Sequence, residues 1–157
     1  MKILLIVIGK TDEKYLIEGM AKYQGRLKHY VPFDYEEIPD IKNRKVLSEA
    51  QQKKREADLI LAKLKAGDKL VLLDEKGKDY RSLDFSKHLQ QQMNAGIKRL
   101  VFVVGGPYGF DESVYKKAQG KLSLSKMTFS HQMIRLFFIE QIYRGMTILK
   151  NEPYHHE

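Results

Sequence analysis

The chain has 157 residues, the size of one domain, and its 28 Lys and Arg against 20 Asp and Glu give a formal charge of +8. It contains no cysteine, which excludes disulfides, thiolate nucleophiles and zinc ribbons and favours a cytoplasmic location. A basic globular protein is attracted to polyanions such as nucleic acid, but many basic proteins bind none, so charge alone favours such a partner only weakly.

Strands and helices alternate along the first half of the chain. The apolar run of residues 3–8 is far shorter than the ~20 residues of a membrane span, and it predicts a buried first strand and no membrane insertion. A helix capped near Thr11-Asp12 follows, and its apolar side chains recur at helical spacing. The next predicted elements are a strand at residues 33–38 and a helix at residues 45–66, with Gly67-Asp68 as its stop.

The second half continues the alternation. Strands are predicted at residues 70–73, 100–104 and 122–124, and a helix capped by Ser82 extends to about residue 95. Strands one, three and four are apolar at nearly every position, so we expect helices to cover both of their faces. The alternation predicts an α/β fold with a parallel sheet and crossover helices, in one domain over residues 1–157.

The last predicted helix, residues 132–150, is apolar on nearly every side. A helix without a solvated face has to be covered on two sides. One side can pack on the sheet, and we expect the other side to meet a second copy of the chain in a homodimer. The alternative is a helix wedged within one chain, for which few other elements remain as cover.

Two local motifs resemble known catalytic sequences, and both fail. Gly9-Lys10-Thr11 resembles the end of a phosphate-binding P-loop, but that loop needs a glycine where Leu4 stands. Residues 123–126 fit the Ser-x-x-Lys pattern of penicillin-interacting enzymes, but neither companion motif follows. The five histidines show no spacing that puts two imidazoles and a carboxylate on one helix face, so no metal site is predicted.

A glycine-rich segment, residues 104–109, follows the fourth predicted strand. In open α/β sheets, ligands bind beyond the carboxyl ends of strands, and glycine lets the backbone approach a ligand closely. The segment is not the dinucleotide-binding fingerprint, and a tight turn between strand and helix explains it equally well. By itself it leaves a ligand site and a plain turn open.

Three separated stretches together resemble one family. They are residues 103–109, residues 122–132, and residues 140–144 with the closing Tyr154-His155. In this order they resemble the pseudouridine-N3 methyltransferases of large-subunit ribosomal RNA, which belong to the knotted SPOUT superfamily, and the similarity extends over the whole chain. The resemblance implies a SPOUT methyltransferase domain with a C-terminal deep trefoil knot, a topology that general folding rules argue against.

The same resemblance implies an activity. The enzyme would be cytoplasmic and would use S-adenosylmethionine, without a metal, to methylate N3 of a pseudouridine in 23S ribosomal RNA. Its substrate would be the large subunit or the assembled ribosome, and it would act as a homodimer without membrane attachment.

The resemblance assigns the methyl donor to three parts of the chain. Gly105 is expected to keep the wall thin beside the ribose and the methionine, where a side chain would occupy space that the ligand needs. Adenine can lie between apolar side chains such as Leu124 and Met127. The donor-binding residues that the resemblance implies are Leu73, Gly105, Leu124, Ser125, Lys126, Met127, Thr128 and Phe129.

The tail and the last helix are implied to act on the RNA. N3 of pseudouridine carries a proton, so its attack is eased by a base that removes the proton or by a cation that stabilises the ring anion. His155 is predicted as the base or a hydrogen-bond partner, Tyr154 as a stacking or orienting group, and Arg144 as the cation. His156 stands where we expect Lys or Arg, which puts in doubt a role of the tail in phosphate binding.

Two other functions stay open. A non-catalytic basic RNA-binding domain would keep the positive charge and would no longer bind S-adenosylmethionine. The intact Gly105-Gly106 pair and residues 125–129 argue against it. A SPOUT methyltransferase that acts on a different RNA nucleotide, such as a transfer-RNA ribose, usually carries extra RNA-binding elements, for which this chain has little room.

Overall fold

Five strands and five α-helices make up the computed structural model, which describes residues 1–157. No helix in it is both long enough and apolar enough to cross a bilayer. A short 3-10 helix, Arg44–Val46, precedes the second α-helix. The strands are β1 (Lys2–Ile8), β2 (Phe33–Ile38), β3 (Lys69–Asp79), β4 (Arg99–Val104) and β5 (Gly120–Ser123); the helices are α1 (Lys14–Leu27), α2 (Glu49–Ala62), α3 (Ser82–Asn94), α4 (Glu112–Lys117) and α5 (Met133–Leu149).

The strands form one sheet in the order β2-β1-β4-β3-β5, and every neighbouring pair is parallel. The predicted parallel α/β sheet is therefore confirmed. β1 and β4 lie in the middle and are buried almost throughout, as their apolar sequences predict. Val104 pairs with Val7 on one side and with Leu73 on the other, so the carboxyl ends of β1 and β4 lie beside Leu73 of β3.

The helices cover both faces of the sheet. α1, α3 and α5 pack on one face, where Phe138, Ile139 and Ile142 of α5 are fully buried. α2 and α4 cover the opposite face through a second apolar cluster that includes Ile60 and Val114. Since α5 lies between α1 and α3, part of its apolar surface is covered within the chain, as the wedged-helix alternative proposed. The exposed part still contains large apolar side chains.

The caps that the sequence predicted at Thr11-Asp12 and at Ser82 are wrong. α1 starts at Lys14, and Glu13, the residue before it, makes no side-chain capping bond. Thr11 is turned inward, because its hydroxyl accepts a hydrogen bond of 2.9 Å from Arg135. Ser82 is the first residue of α3 and makes no capping bond.

α2 is shorter than the predicted residues 45–66. Ser48 and Gln51 form a capping box at its start, in which each side chain bonds the other residue's backbone amide. The helix ends at Ala62, and Gly67, with a φ of 85°, belongs to the turn before β3. The predicted stop signal therefore marks the turn rather than the helix end.

β3 continues six residues beyond the predicted strand, through a polar stretch that the apolar pattern could not indicate. Its register shifts there, so that Leu122 of β5 pairs first with Leu73 and again with Lys78. Gly77 lies in the shifted part, and a Cβ on it would be 2.6 Å from backbone atoms of Leu122. Only glycine allows the two strands to approach this closely.

Candidate active site

A cavity of about 590 Å³ opens at the carboxyl end of β4, beside the part of β3 where the register shifts. Its volume is within the range of about 300 to 1,000 Å³ that is usual for small-molecule sites. The walls come from residues 73–76, from the glycine segment 104–110, and from the loop 122–131 that leads into α5. The glycine segment therefore borders a cavity that could hold a ligand, at the edge of the sheet where such sites occur, which favours the ligand site over a plain turn.

Most of the residues predicted to bind the donor line this cavity. Ser123 and Ser125 fold the loop locally: the Ser123 hydroxyl donates to the Ser125 carbonyl at 2.8 Å, and the Ser125 hydroxyl accepts from the Met127 amide at 2.9 Å. Lys126 lies on the same loop but does not line the cavity. The predicted residues on the wall are Leu73, Gly105, Leu124, Ser125, Met127, Thr128 and Phe129.

A polar group borders the cavity where β3 leaves its regular register. Asp74 accepts a hydrogen bond of 2.6 Å from the Tyr115 hydroxyl and one of 2.8 Å from the Lys76 amide. Burial, together with this carboxylate, raises the pKa of Tyr115 to about 12. The Tyr115 hydroxyl therefore stays protonated at neutral pH and keeps Asp74 in place.

Gly105 has less free space than the sequence suggested. A Cβ on it would lie 3.1 Å from Cζ of Phe110, a buried residue that itself forms part of the cavity wall. The first obstacle to a side chain at Gly105 is this ring rather than a ligand. Gly105→Val would therefore disturb the core together with the cavity, and it is a poor test of ligand binding alone.

Gly106 covers a buried carboxylate that the sequence did not single out. Glu56 of α2 is 3% exposed, and neither of its oxygens makes a hydrogen bond. A Cβ on Gly106 would lie 2.6 Å from Oε1 of Glu56. Burial raises the pKa of Glu56. Helical spacing from the core residue Ile60 places Glu56 on the inner face of α2, but a pattern alone does not separate it from a surface glutamate.

Arg135 anchors the end of the cavity loop. It is fully buried, and each of its partners is an uncharged oxygen. Its only sequence signal was a charge within an almost continuously apolar helix. Arg135 donates to the carbonyls of Ile8 (2.7 Å), Gly9 (2.9 Å) and His131 (3.0 Å) and to the hydroxyl of Thr11 (2.9 Å).

Gln132 strengthens the same connection. Its side chain donates to the Lys10 carbonyl at 2.9 Å and accepts from the Asp12 amide at 3.0 Å. The segment after β1 is thereby fastened to the start of α5 and to the loop that precedes it. The Gly9-Lys10-Thr11 sequence consequently serves as an attachment point for the cavity loop.

The predicted catalytic residues form a cluster of their own. Arg144 donates to Glu140 at 2.6 Å and contacts Nδ1 of His155 at 3.2 Å, and its guanidinium lies over the Tyr154 ring at 4.7 Å. The Tyr154 hydroxyl donates to Glu140 at 2.8 Å. Burial, with hydrogen bonds to Tyr23 and Glu140, raises the pKa of Tyr154, so this hydroxyl is a donor at neutral pH.

Within one chain, this tail cluster of Glu140, Arg144, Tyr154 and His155 is separated from the cavity. The cavity wall reaches α5 only as far as Ile134. Arg144 lies ten residues further along the same helix, a rise of about 15 Å at about 1.5 Å per residue. Between them, Met133 and Phe137 are 40% and 42% exposed and share a helix face with Arg144. A single chain therefore forms two separate groups: the residues predicted to bind the methyl donor, and the residues predicted to act on the RNA.

Known proteins match the chain over its whole length. A family model described as "Predicted SPOUT methyltransferase" matches residues 1–155. Proteins called "Ribosomal RNA large subunit methyltransferase H" from Parabacteroides distasonis and Flavobacterium johnsoniae are 68% and 65% identical to it over 157 residues, covering all of both chains. A protein of the same name from Porphyromonas gingivalis is 55% identical over the same length. The chain therefore belongs to the SPOUT methyltransferases, in the family of ribosomal RNA large subunit methyltransferase H.

Proposed function

We propose that this protein uses S-adenosylmethionine to methylate N3 of a pseudouridine in 23S ribosomal RNA. One observation carries the proposal: seven of the eight residues that the family resemblance assigns to the methyl donor, which come from three separate stretches of the sequence, line one cavity at the carboxyl edge of the sheet. Full-length relatives named as large-subunit ribosomal RNA methyltransferases support the substrate class. The formal charge of +8 supports RNA binding.

The cavity suits this donor in size and in chemistry. Leu73, Leu124 and Phe129 offer apolar surface for the adenine ring, and Gly105 and Gly106 bring backbone close to the ligand. Asp74 and Glu75, also on the wall, can accept hydrogen bonds from hydroxyl or ammonium groups. Adenosylmethionine supplies an electrophilic methyl group on a sulfonium sulfur, and a neutral thioether leaves. The chain's own contribution is to align the donor with the RNA base and to exclude water.

The tail cluster suits a substrate nitrogen that has to lose a proton. A guanidinium can only donate, so Nδ1 of His155 accepts from Arg144 and the neutral ring carries its proton on Nε2. In this arrangement Nε2 is buried without a hydrogen-bond partner, so the tail has to move before His155 can donate to the substrate. His155 acts as a base only after Nδ1 separates from Arg144. The guanidinium of Arg144 is the cation that stabilises an anionic pyrimidine ring, and the Tyr154 ring orients this guanidinium.

We further propose a homodimer with α5 at its interface. In a two-fold interface the same face of α5 meets its copy, so two antiparallel helices would bring each tail cluster toward the partner's cavity. Exposed Met133 and Phe137 supply apolar contacts between the two positions. An interface of standard size would bury about 1,200 to 2,000 Å² in total. The dimer would thus join two groups that lie about 15 Å apart along one helix.

We also propose the deep trefoil knot for the C-terminal part. The close approach of Gly77 to Leu122 in the shifted part of the β3–β5 pair, and the return of the chain from β5, at the sheet edge, to α5 between α1 and α3, support a threaded path. Such a path would hold the cavity loop between fixed chain segments.

The activity can be tested with purified protein, methyl-labelled adenosylmethionine, and either large subunits or assembled ribosomes from cells that lack this protein. We expect label in 23S RNA, at N3 of one pseudouridine when the digested RNA is analysed by mass spectrometry. Label on another nucleotide would refute the proposed specificity. RNA binding with neither donor binding nor label would indicate the non-catalytic RNA-binding alternative.

A further inference from the structure

The carboxylate of Glu56 is buried without a partner directly behind the cavity wall. It is 3% exposed, and both of its oxygens lack hydrogen bonds. Arg44, whose charge lowers the pKa of Glu56, is largely exposed and pairs with Asp40 at 3.4 Å, and the Asp40 carboxylate acts in the opposite direction on Glu56. The surroundings on α2 and the sheet are apolar, so an apolar residue would suit the core better than an unpaired charge does. Packing therefore gives no reason for a carboxylate at this position.

Only one layer of backbone separates this carboxylate from the cavity. Gly106 lines the cavity, and its missing side chain is what leaves room for the Glu56 oxygens. In apolar, water-excluded surroundings the field of a charge is weakly screened and reaches across such a layer. The other carboxylates at the wall differ: Asp74 is bonded to Tyr115 and to the Lys76 amide, and Glu75 is exposed to solvent.

We propose that Glu56 is a specificity-determining residue that makes the cavity prefer the charged methyl donor to the neutral product. This inference rests on the proposed function, because it takes adenosylmethionine as the ligand. When the methyl group leaves, a sulfonium cation becomes a neutral thioether, and the rest of the molecule stays the same. A carboxylate behind Gly106 attracts the first and not the second. The product is thereby held less tightly than the donor and can be replaced by it.

The test compares two ligands rather than two activities. Calorimetric affinities for adenosylmethionine and for S-adenosylhomocysteine are measured with the full chain and with Glu56→Gln, which keeps the shape and removes the charge. Because burial raises the pKa of Glu56, the titrations are made at about pH 8, well above the carboxylate's unperturbed range. Attraction of a unit charge through weakly screened surroundings corresponds to roughly a tenfold change in affinity.

We expect Glu56→Gln to weaken adenosylmethionine binding roughly tenfold and to leave adenosylhomocysteine binding within about twofold. Glu56→Asp, which retains the charge, should keep the preference for the donor. Asp58→Asn, which removes an exposed carboxylate from the same helix, should change neither affinity. The Tm of Glu56→Gln should be at least as high as that of the wild type, since a buried charge is removed.

Equal weakening of both ligands would mean that Glu56 only supports the wall, and unchanged affinities would mean that its field does not reach the ligand; each result overturns the inference and leaves the proposed function standing. If the wild type binds neither ligand, the proposed function itself fails. The two failures are therefore distinguishable.

Discussion

Replacing Arg135 by methionine removes the anchor between the cavity loop and β1 while keeping a long apolar side chain. The guanidinium donates to three backbone carbonyls and to the hydroxyl of Thr11, all within 3.0 Å. The bonds to Ile8, Gly9 and Thr11 are buried, and the bond to His131 is partly buried. Thr11 keeps Tyr35 as a partner at 3.1 Å, but the carbonyls of Ile8, Gly9 and His131 lose their side-chain donor. The change therefore leaves two buried acceptors and one partly buried acceptor without this donor.

The size of the effect follows from these bonds. A buried acceptor left without its partner costs about 1 to 3 kcal/mol, and relief from burying an unpaired guanidinium offsets part of the sum. We expect Arg135→Met to lower the free energy of unfolding by about 3 to 5 kcal/mol. For a chain of this length, this corresponds to a fall in Tm of about 10 °C. Arg135→Lys, which retains the charge and a single donor group, should lie between the variant and the wild type.

Urea unfolding followed by circular dichroism measures this change, and Arg144→Met provides the matched control. Arg144 lies on the same helix but is partly exposed and paired with Glu140, so its loss should cost about 1 kcal/mol or less. Arg135→Met should also weaken donor binding, because the loop before α5 loses its attachment. A loss below about 1 kcal/mol, or equal losses in the two variants, would refute the anchoring role of Arg135.

Three further changes test other parts of the structure. Arg144→Ala, or removal of residues 154–157, should leave donor affinity within about twofold while methyl transfer falls ~10² to 10⁴-fold; wild-type turnover in both would exclude the tail cluster from the reaction. Phe137→Asp should convert the dimer to monomers in sedimentation, and a monomeric wild type would contradict the dimer. The Arg99 guanidinium lowers the pKa of Asp68 in the folded state, so the ion pair stabilises the fold above the pKa of Asp68 in the unfolded chain, and this stabilisation is lost as pH falls through the pKa in the folded chain. Asp68→Asn should therefore reduce the fall in the free energy of unfolding at acid pH. The same fall in the variant and in the wild type would refute this contribution.

The sheet was predictable because its strands are buried on both faces. β1 and β4 are continuous apolar runs, and an apolar run of that length between helices has few other solutions. The bounds of α5 were predicted to within one residue for a similar reason. The extension of β3 was not predictable, since its polar residues form a strand by pairing with β5 in a shifted register rather than through their own pattern. The cap at Thr11 failed because a buried arginine 124 residues later uses its hydroxyl.

The candidate site shows the same division between local pattern and tertiary contact. A general rule about strand ends pointed to the segment after β4, and the family resemblance supplied the loop before α5. Glu56 and Arg135 were missed, because a charged residue in a sequence is normally assigned to the surface. The separation of the tail cluster from the cavity depends on how α5 packs, which a sequence pattern does not contain.

The central claim is that this chain methylates N3 of a pseudouridine in 23S ribosomal RNA. Mass spectrometry of that RNA, from cells that lack the protein and from the same cells supplied with the wild-type chain, tests it most directly. We predict that one N3-methylated pseudouridine is absent from the first sample and present in the second. An unchanged set of modified nucleotides in the cells that lack the protein would contradict the assignment.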